Sequence, residues 1–256
     1  MGMTWKEKIA AWKDITRKPG YELKFYPAPG GKKAPFALIA PGGGYQAVCS
    51  FVEGEPFARE LNKRGYSAFV LYYRVAKQAQ YPAPQDDMAR GLKEILDHAQ
   101  QYNIQTEGFS IWGASAGGHL AASFGSDAVG YAHYGLPKPA AMVLVYPVIT
   151  LGEHTHKGTR NNHLGKNAPA DMVKKLSVQN LVTGNYPPTY IWNTLEDKTV
   201  PPINSCLFAQ AAQEAGVECR YHCYNSGPHG CGLARGLACE GWFDEAVAFW
   251  QTHIGK

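Results

Sequence analysis

Residues 108–122 read Gly108-Phe-Ser-Ile-Trp-Gly-Ala-Ser115-Ala-Gly-Gly-His-Leu-Ala-Ala122, and the order of residue types in this stretch decides the fold. An apolar run (Phe109, Ile111, Trp112) leads into Gly113-Ala114-Ser115-Ala116-Gly117 and then into small, helix-compatible residues. That order predicts a strand, a sharp turn and a helix, the setting in which a G-x-S-x-G pattern presents a serine nucleophile. The glycines have a physical reason: a serine at the tip of a strained turn needs neighbours without side chains, because backbone and substrate both pass close to it. The first N–H groups of the following helix have no partner within it and point to where negative charge would develop. With nine serines and 28 glycines in 256 residues, roughly 0.1 accidental matches are expected, so the pattern needs support from partners.

The bulk properties bound the answer. A chain of 256 residues with 45% hydrophobic and 18% charged side chains fits a single α/β domain spanning residues 1–256, with room for a modest insertion. The formal charge of +4 is small and its basic residues are mixed with acids, which leaves no electrostatic footprint for nucleic acid. Residues 1–20 carry Lys6, Glu7, Lys8, Lys13, Asp14, Arg17 and Lys18, which argues against a signal peptide. No stretch approaches the ~20 apolar residues that cross a bilayer, so no membrane partner is expected. The six cysteines are scattered, as expected of free thiols in a reducing, cytoplasmic setting. Cys219 and Cys223 with His222, His229 and Cys231 suggest a metal site, but on a strand the two thiols would stand ~13 Å apart, too far to share an ion. No metal is expected.

Along the chain, helical spacing is found over residues 5–16 (Trp5, Ile9, Trp12), 53–64, 83–101, 203–215 and 241–253. Strand patterns fall at residues 21–26, 35–40, 66–73, 141–149, 189–195 and 218–224. Strands alternating with helices imply a mostly parallel sheet covered on both faces. Residues 150–186 are polar and irregular, with a short helix expected at 170–176, and read as an insertion lying over the site. Asp86 and Asp87 open their helix and are expected to cap it or to pair with Arg74.

Ligands of such sheets gather at the carboxyl ends of strands, so partners for Ser115 should follow strands. The chain order nucleophile, acid, base removes His98, His119, His133, His154, His156 and His163, which come too early. His222 lies inside a strand and His253 at the end of the last helix, leaving His229 on the loop Asn225-Ser-Gly-Pro-His-Gly230. Of the two acids after the strand at 189–195, Asp197 is preferred to Glu196, since a short side chain followed by a turn and Pro201 suits an orienting carboxylate. Pro41-Gly42-Gly43-Gly44-Tyr45 follows another strand. Its glycines let backbone lie against substrate, so Gly43 and Gly44, joined by the N–H of Ala116, are the expected oxyanion hole. No metal or organic cofactor is required for acyl transfer by such a set. Tyr45, Trp112, Trp192 and residues 150–186 are candidates to shape the pocket, although aromatics near a site more often serve packing.

Several segments together resemble a known group: Pro41-Gly-Gly-Gly-Tyr45, Ala68-Phe-Val-Leu-Tyr-Tyr-Arg-Val75, Gly113-Ala-Ser-Ala-Gly-Gly-His-Leu120, Asp197-Lys-Thr-Val-Pro201 and Pro228-His-Gly230. They are similar to the α/β-hydrolase esterases of the bifunctional feruloyl and acetyl-xylan esterase type, relatives of the HGGG lipases and esterases. The segments His163-Leu-Gly165, Leu176-Ser-Val-Gln-Asn180 and Tyr186-Pro-Pro-Thr-Tyr190 are similar in order and spacing as well. The resemblance implies an α/β-hydrolase fold and serine-dependent hydrolysis of carboxylic esters. It leans toward short acyl groups such as acetyl on a small-molecule ester such as an acetylated sugar. By motif it maps Ser115, Asp197 and His229 onto the triad, and Gly43, Gly44 and Ala116 onto the oxyanion hole. Two departures stand out. Pro41 occupies the place of the HGGG histidine, which leaves the loop's support open, and Asn193 stands where a histidine before the acid is expected, which would alter the rim of the site. A formamidase or other small-amide hydrolase uses the same apparatus. A non-catalytic binding protein on this scaffold would be expected to lack a triad member.

Overall fold

The structure is a computed structural model that describes residues 20–255; the helix expected over residues 5–16 lies outside them. A seven-stranded sheet carries the chain, made of β1 (Glu22–Tyr26), β2 (Ala34–Ala40), β3 (Ser67–Tyr72), β4 (Ile104–Ala114), β5 (Ala141–Val145), β6 (Thr189–Thr194) and β7 (Cys219–Tyr224). Its spatial order is β1-β3-β2-β4-β5-β6-β7. Only β1 runs antiparallel, pairing Glu22 with Tyr72 through Tyr26 with Ala68; all other neighbours are parallel. Parallel neighbours need crossovers, which the helices supply.

Among the described residues, the helices of more than one turn are, in chain order, α1 (Glu55–Lys63), α2 (Ala83–Asp97), α3 (Ser115–Phe124), α4 (Lys157–Leu164), α5 (Ala170–Leu176), α6 (Ile203–Glu214) and α7 (Trp242–Gln251). Each main helix turns an apolar stripe to the sheet: Phe57, Ala58 and Leu61 on α1, Met88, Leu92 and Ile95 on α2. The central helix α3 is buried along its whole length, as its small residues require. On the other side Trp242, Phe243 and Trp250 of α7 pack against Trp112 and Trp192, and Phe249 against Tyr190. Trp112, Trp192 and Tyr45 are fully buried, so these aromatics are packing and leave the pocket wall to other residues. Asn193 is buried within β6, donating to the Thr194 carbonyl at 3.1 Å; it sits in the sheet and not at the rim.

Three boundaries differ from the sequence pattern. The helix expected over 83–101 stops at Asp97, because His98 leaves helical geometry, and a separate turn Ala99–Tyr102 precedes the left-handed Asn103. The helix expected from residue 53 is split by Gly54 into a single turn, Ser50–Glu53, and α1. The apolar run 141–149 is strand only to Val145: Tyr146 adopts φ 36° and Pro147 follows with no N–H to give the ladder. Asp86 and Asp87 make no cap at the start of α2; Asp87 instead grips Arg74 at 2.8 Å, and Asp86 accepts from the Tyr134 hydroxyl.

Residues 150–186 hold α4 and α5 and pack through Leu151, Leu176 and Leu181 onto Val129, Val148 and Val200. Among the described residues no helix is long and apolar enough to cross a membrane, and all six cysteines are free.

Candidate active site

β4 ends at Ala114 and α3 begins at Ser115, so the serine stands on the sharp turn between them with φ 53°. A side chain other than glycine in that region is strained and persists only where its surroundings hold it. They do: a β-carbon on Gly117 would overlap the carbonyl oxygens of Ala40 and Pro41. The elbow is thereby pressed against the end of β2, and the Ser115 carbonyl accepts from Val148 at 3.0 Å.

Asp197 and His229 come from the loops after β6 and β7, far apart in sequence. The His229 Nε2 lies 2.8 Å from Ser115 Oγ, and its Nδ1 lies 2.6 Å from Asp197 Oδ2. The other oxygen of Asp197 accepts from the backbone N–H groups of Thr199 and Val200, each at 2.9 Å. With that carboxylate accepting at Nδ1, the imidazole carries its proton there, and the Nε2 lone pair faces the serine hydroxyl. The set is able to take a proton from Ser115 as its oxygen attacks an acyl carbon. Glu196 points elsewhere, accepting the Gly227 N–H at 3.4 Å, and the Thr194 hydroxyl donates to the Gly227 carbonyl at 2.6 Å, tying the two loops together.

The glycine loop enters beside the elbow. A β-carbon on Gly42 would lie 2.8 Å from the Ser115 β-carbon. Gly43, Gly44 and Tyr45 then follow with φ of 124°, 65° and 55°, a backbone that glycine adopts freely and that Tyr45 keeps only where its surroundings hold it. Among the described residues the N–H groups of Gly43, Gly44 and Ala116 have no protein acceptor. Their availability is what an oxyanion hole needs.

Two residues outside every motif, Glu53 and Asn162, hold this loop, together with Tyr45, His119 and His163. The Gly42 N–H donates to Glu53 at 2.8 Å, and the Gly44 carbonyl accepts from Asn162 at 2.9 Å. Tyr45 stacks on His163 at 4.3 Å, and its hydroxyl meets His119 Nδ1 at 3.0 Å. His119 Nε2 donates to the Leu176 carbonyl, and His163 Nδ1 to that of Ala79, each at 2.9 Å. Burial lowers both imidazoles, to about 4 and about 3, so they stay neutral. His156, half-buried at the start of α4, lies against Gly44 and takes the Thr159 N–H on its Nδ1. Burial, then the charge of His229, pulls its pKa down.

A cavity of about 590 Å³ opens beside Asp197 and His229, walled by Leu195, Lys198, Thr199 and Pro228. A second of about 600 Å³ lies at the opposite ends of the strands, between Glu107, Lys138 and Glu218, and touches none of the candidate residues.

A mostly parallel sheet with this elbow and these three loops at the carboxyl ends of its strands defines an α/β hydrolase. The chain belongs to the BD-FAE family, which it matches over residues 24–212; this is the group anticipated from the motifs. It is 35% identical over 225 residues to endo-1,4-β-xylanase B of Butyrivibrio fibrisolvens, covering 84% of this chain and 35% of that protein. It is 34% identical over 198 residues to acetylxylan esterase of Xylanibacter ruminicola, covering 75% of this chain and 40% of that one. The chain thus spans two fifths or less of the length of these curated relatives. The crystal structure of an acetyl ester-xyloside bifunctional hydrolase from Caldicellulosiruptor lactoaceticus superposes with TM-score 0.83 and 33% identity, over 95% of this chain and 94% of that one. A carboxylesterase from Lactobacillus plantarum superposes with TM-score 0.73 and 26% identity, over 93% and 91% of the two chains.

Proposed function

We propose that the chain is a serine-dependent carboxylic ester hydrolase that releases short acyl groups, acetyl foremost, from carbohydrate or similar small esters. The observation that carries this reading is the His229 ring, 2.8 Å from Ser115 on one side and 2.6 Å from Asp197 on the other. In this reading Ser115 Oγ attacks the acyl carbon and its proton passes to His229 Nε2. Asp197 holds the imidazole in its useful tautomer and stabilises the cation that forms. The oxyanion accepts from the amides of Gly43, Gly44 and Ala116. Each such donor is typically worth about 10² to 10³ in rate. Collapse of the tetrahedral intermediate expels the alcohol, which takes the proton from His229; water then enters by the same base and frees the acid. Residues 150–186 serve as an insertion that braces the oxyanion loop through Asn162 and His163.

Supporting the choice of substrate are the names of two relatives, an acetylxylan esterase and an acetyl ester-xyloside hydrolase. The test is a panel of aryl esters of increasing acyl length, followed by acetylated xylo-oligosaccharides, with Ser115→Ala as the control. Turnover that peaks at acetyl and vanishes in the variant is expected. Equal rates in parent and variant contradict the serine mechanism, and a peak at long chains contradicts the acyl preference.

A further inference from the structure

Glu53 closes the turn ahead of α1, where an acid ordinarily serves the positive end of a helix in water. Here it is 3% exposed. A buried carboxylate is tolerated only when its oxygens are taken up, and the two partners of Glu53 are informative. Oε2 accepts the Gly42 N–H at 2.8 Å, and Oε1 accepts the Tyr146 hydroxyl at 2.8 Å. Gly42 opens the oxyanion loop. The Tyr146 oxygen in turn accepts the Gly232 N–H at 3.0 Å, three residues past His229, and the Tyr146 ring meets the His229 ring edge-on at 4.9 Å. A point 2.5 Å from Glu53 Oε2 and 2.8 Å from the Ser115 β-carbon, where a Gly42 side chain would begin, shows how near the carboxylate comes to the serine. Among the described residues no Lys or Arg pairs with it.

We propose that Glu53 is a positioning residue of the hydrolytic site, holding the oxyanion loop through Gly42 and the His229 loop through Tyr146 in register with Ser115. This rests on the hydrolase reading given above. A burial role alone would be met better by an apolar side chain, and the strain of Tyr146, at φ 36°, fits a residue held for the reach of its hydroxyl. Burial raises the carboxyl pKa, opposed by the Tyr146 and Gly42 bonds and by the nearness of His229.

Glu53→Gln keeps the shape but has one accepting oxygen for two donors: that oxygen takes the Gly42 N–H, and the NH2 can only donate to the Tyr146 oxygen, so the phenol O–H loses its acceptor. Tyr146→Phe removes only the far hydroxyl and keeps the ring against His229. With kcat for an aryl acetate normalised to sites titrated by a fluorophosphonate, E53Q should lower kcat by about 10- to 100-fold with KM within about threefold. Y146F should lower it by about 5- to 20-fold, and the double variant should be no worse than E53Q, since both cut one relay. E53Q or Y146F within twofold of the parent in normalised kcat overturns the proposal, as does a double variant whose losses multiply. If E53Q does not fold, Y146F carries the test alone. Parent and Ser115→Ala are measured in the same series: an inactive parent sinks the hydrolase reading and this proposal together, whereas an active parent with unchanged variants sinks the proposal alone.

Discussion

Replacing Asp197 by asparagine turns one carboxylate oxygen into an NH2 group, and the surroundings dictate which one. Oδ1 accepts two backbone N–H groups, from Thr199 and Val200, while Oδ2 accepts one imidazole N–H, from His229. Turning the NH2 toward Thr199 and Val200 would leave two donors without their acceptor, at about 1–3 kcal/mol for the buried Val200 N–H and less for that of the exposed Thr199. The amide oxygen therefore stays with the backbone and the NH2 faces His229 Nδ1. There it donates, and the ring must carry its proton on Nε2, where the Ser115 hydroxyl now finds no acceptor. In serine triads a wrong tautomer of this kind lowers kcat by about 10⁴, equivalent to about 5 kcal/mol of barrier. The assay is kcat for an aryl acetate at pH 7.5, with thermal melting as the check on folding. A D197N protein that melts like the parent and retains kcat within tenfold of it would refute the assignment of Asp197 as the orienting acid.

Glu196→Gln should leave kcat within about threefold of the parent, since that carboxylate meets only the Gly227 N–H at 3.4 Å; a loss near that of D197N would make Glu196 the orienting acid. Gly117→Ala should lower the melting temperature by roughly 5 to 10 °C, because a methyl there overlaps two backbone oxygens; calorimetry showing no change would mean the elbow yields freely. Stability should fall with acid in a window set by two histidines. His119 and His163 have folded pKa values of about 4 and about 3 against about 6.5 unfolded, so the unfolded chain binds more protons as pH drops below 6.5. Their contribution is whole above that pH and is lost at about 1.4 kcal/mol per pH unit for each ring on the way down to its folded pKa. A urea midpoint that stays flat from pH 7 to 4.5 would contradict this. An aryl formamide turned over faster than an acetylated sugar would move the substrate class from esters to small amides.

Much of the site was legible because its chemistry uses distinctive residues at strand ends. Ser115 between glycines, His229 on a Gly-Pro loop and Asp197 before a turn each announce a departure from regular structure, and the sheet then brings them to one edge. Glu53 was not legible, since an acid near the start of a helix normally faces water and only the packing shows it buried. Tyr146 was hidden inside an apolar run that reads as continuous strand, with Pro147 the sole hint of its end. α4 escaped because its buried face is only Thr159 and His163, too polar to produce a hydrophobic period. Trp112 and Trp192 are core, as aromatics near a site more often are, while Asn193 lies in the sheet and not at the rim for a related reason. In a strand covered on both faces, alternation no longer tells inside from rim.

If Ser115 Oγ is a nucleophile made reactive by His229, it is open to covalent capture. Folded protein treated with a fluorophosphonate should gain one adduct per chain, mapped by peptide mass spectrometry to the segment containing Ser115, and Ser115→Ala should gain none. Folded parent that stays unlabelled, or that carries the adduct on another residue, would contradict the account.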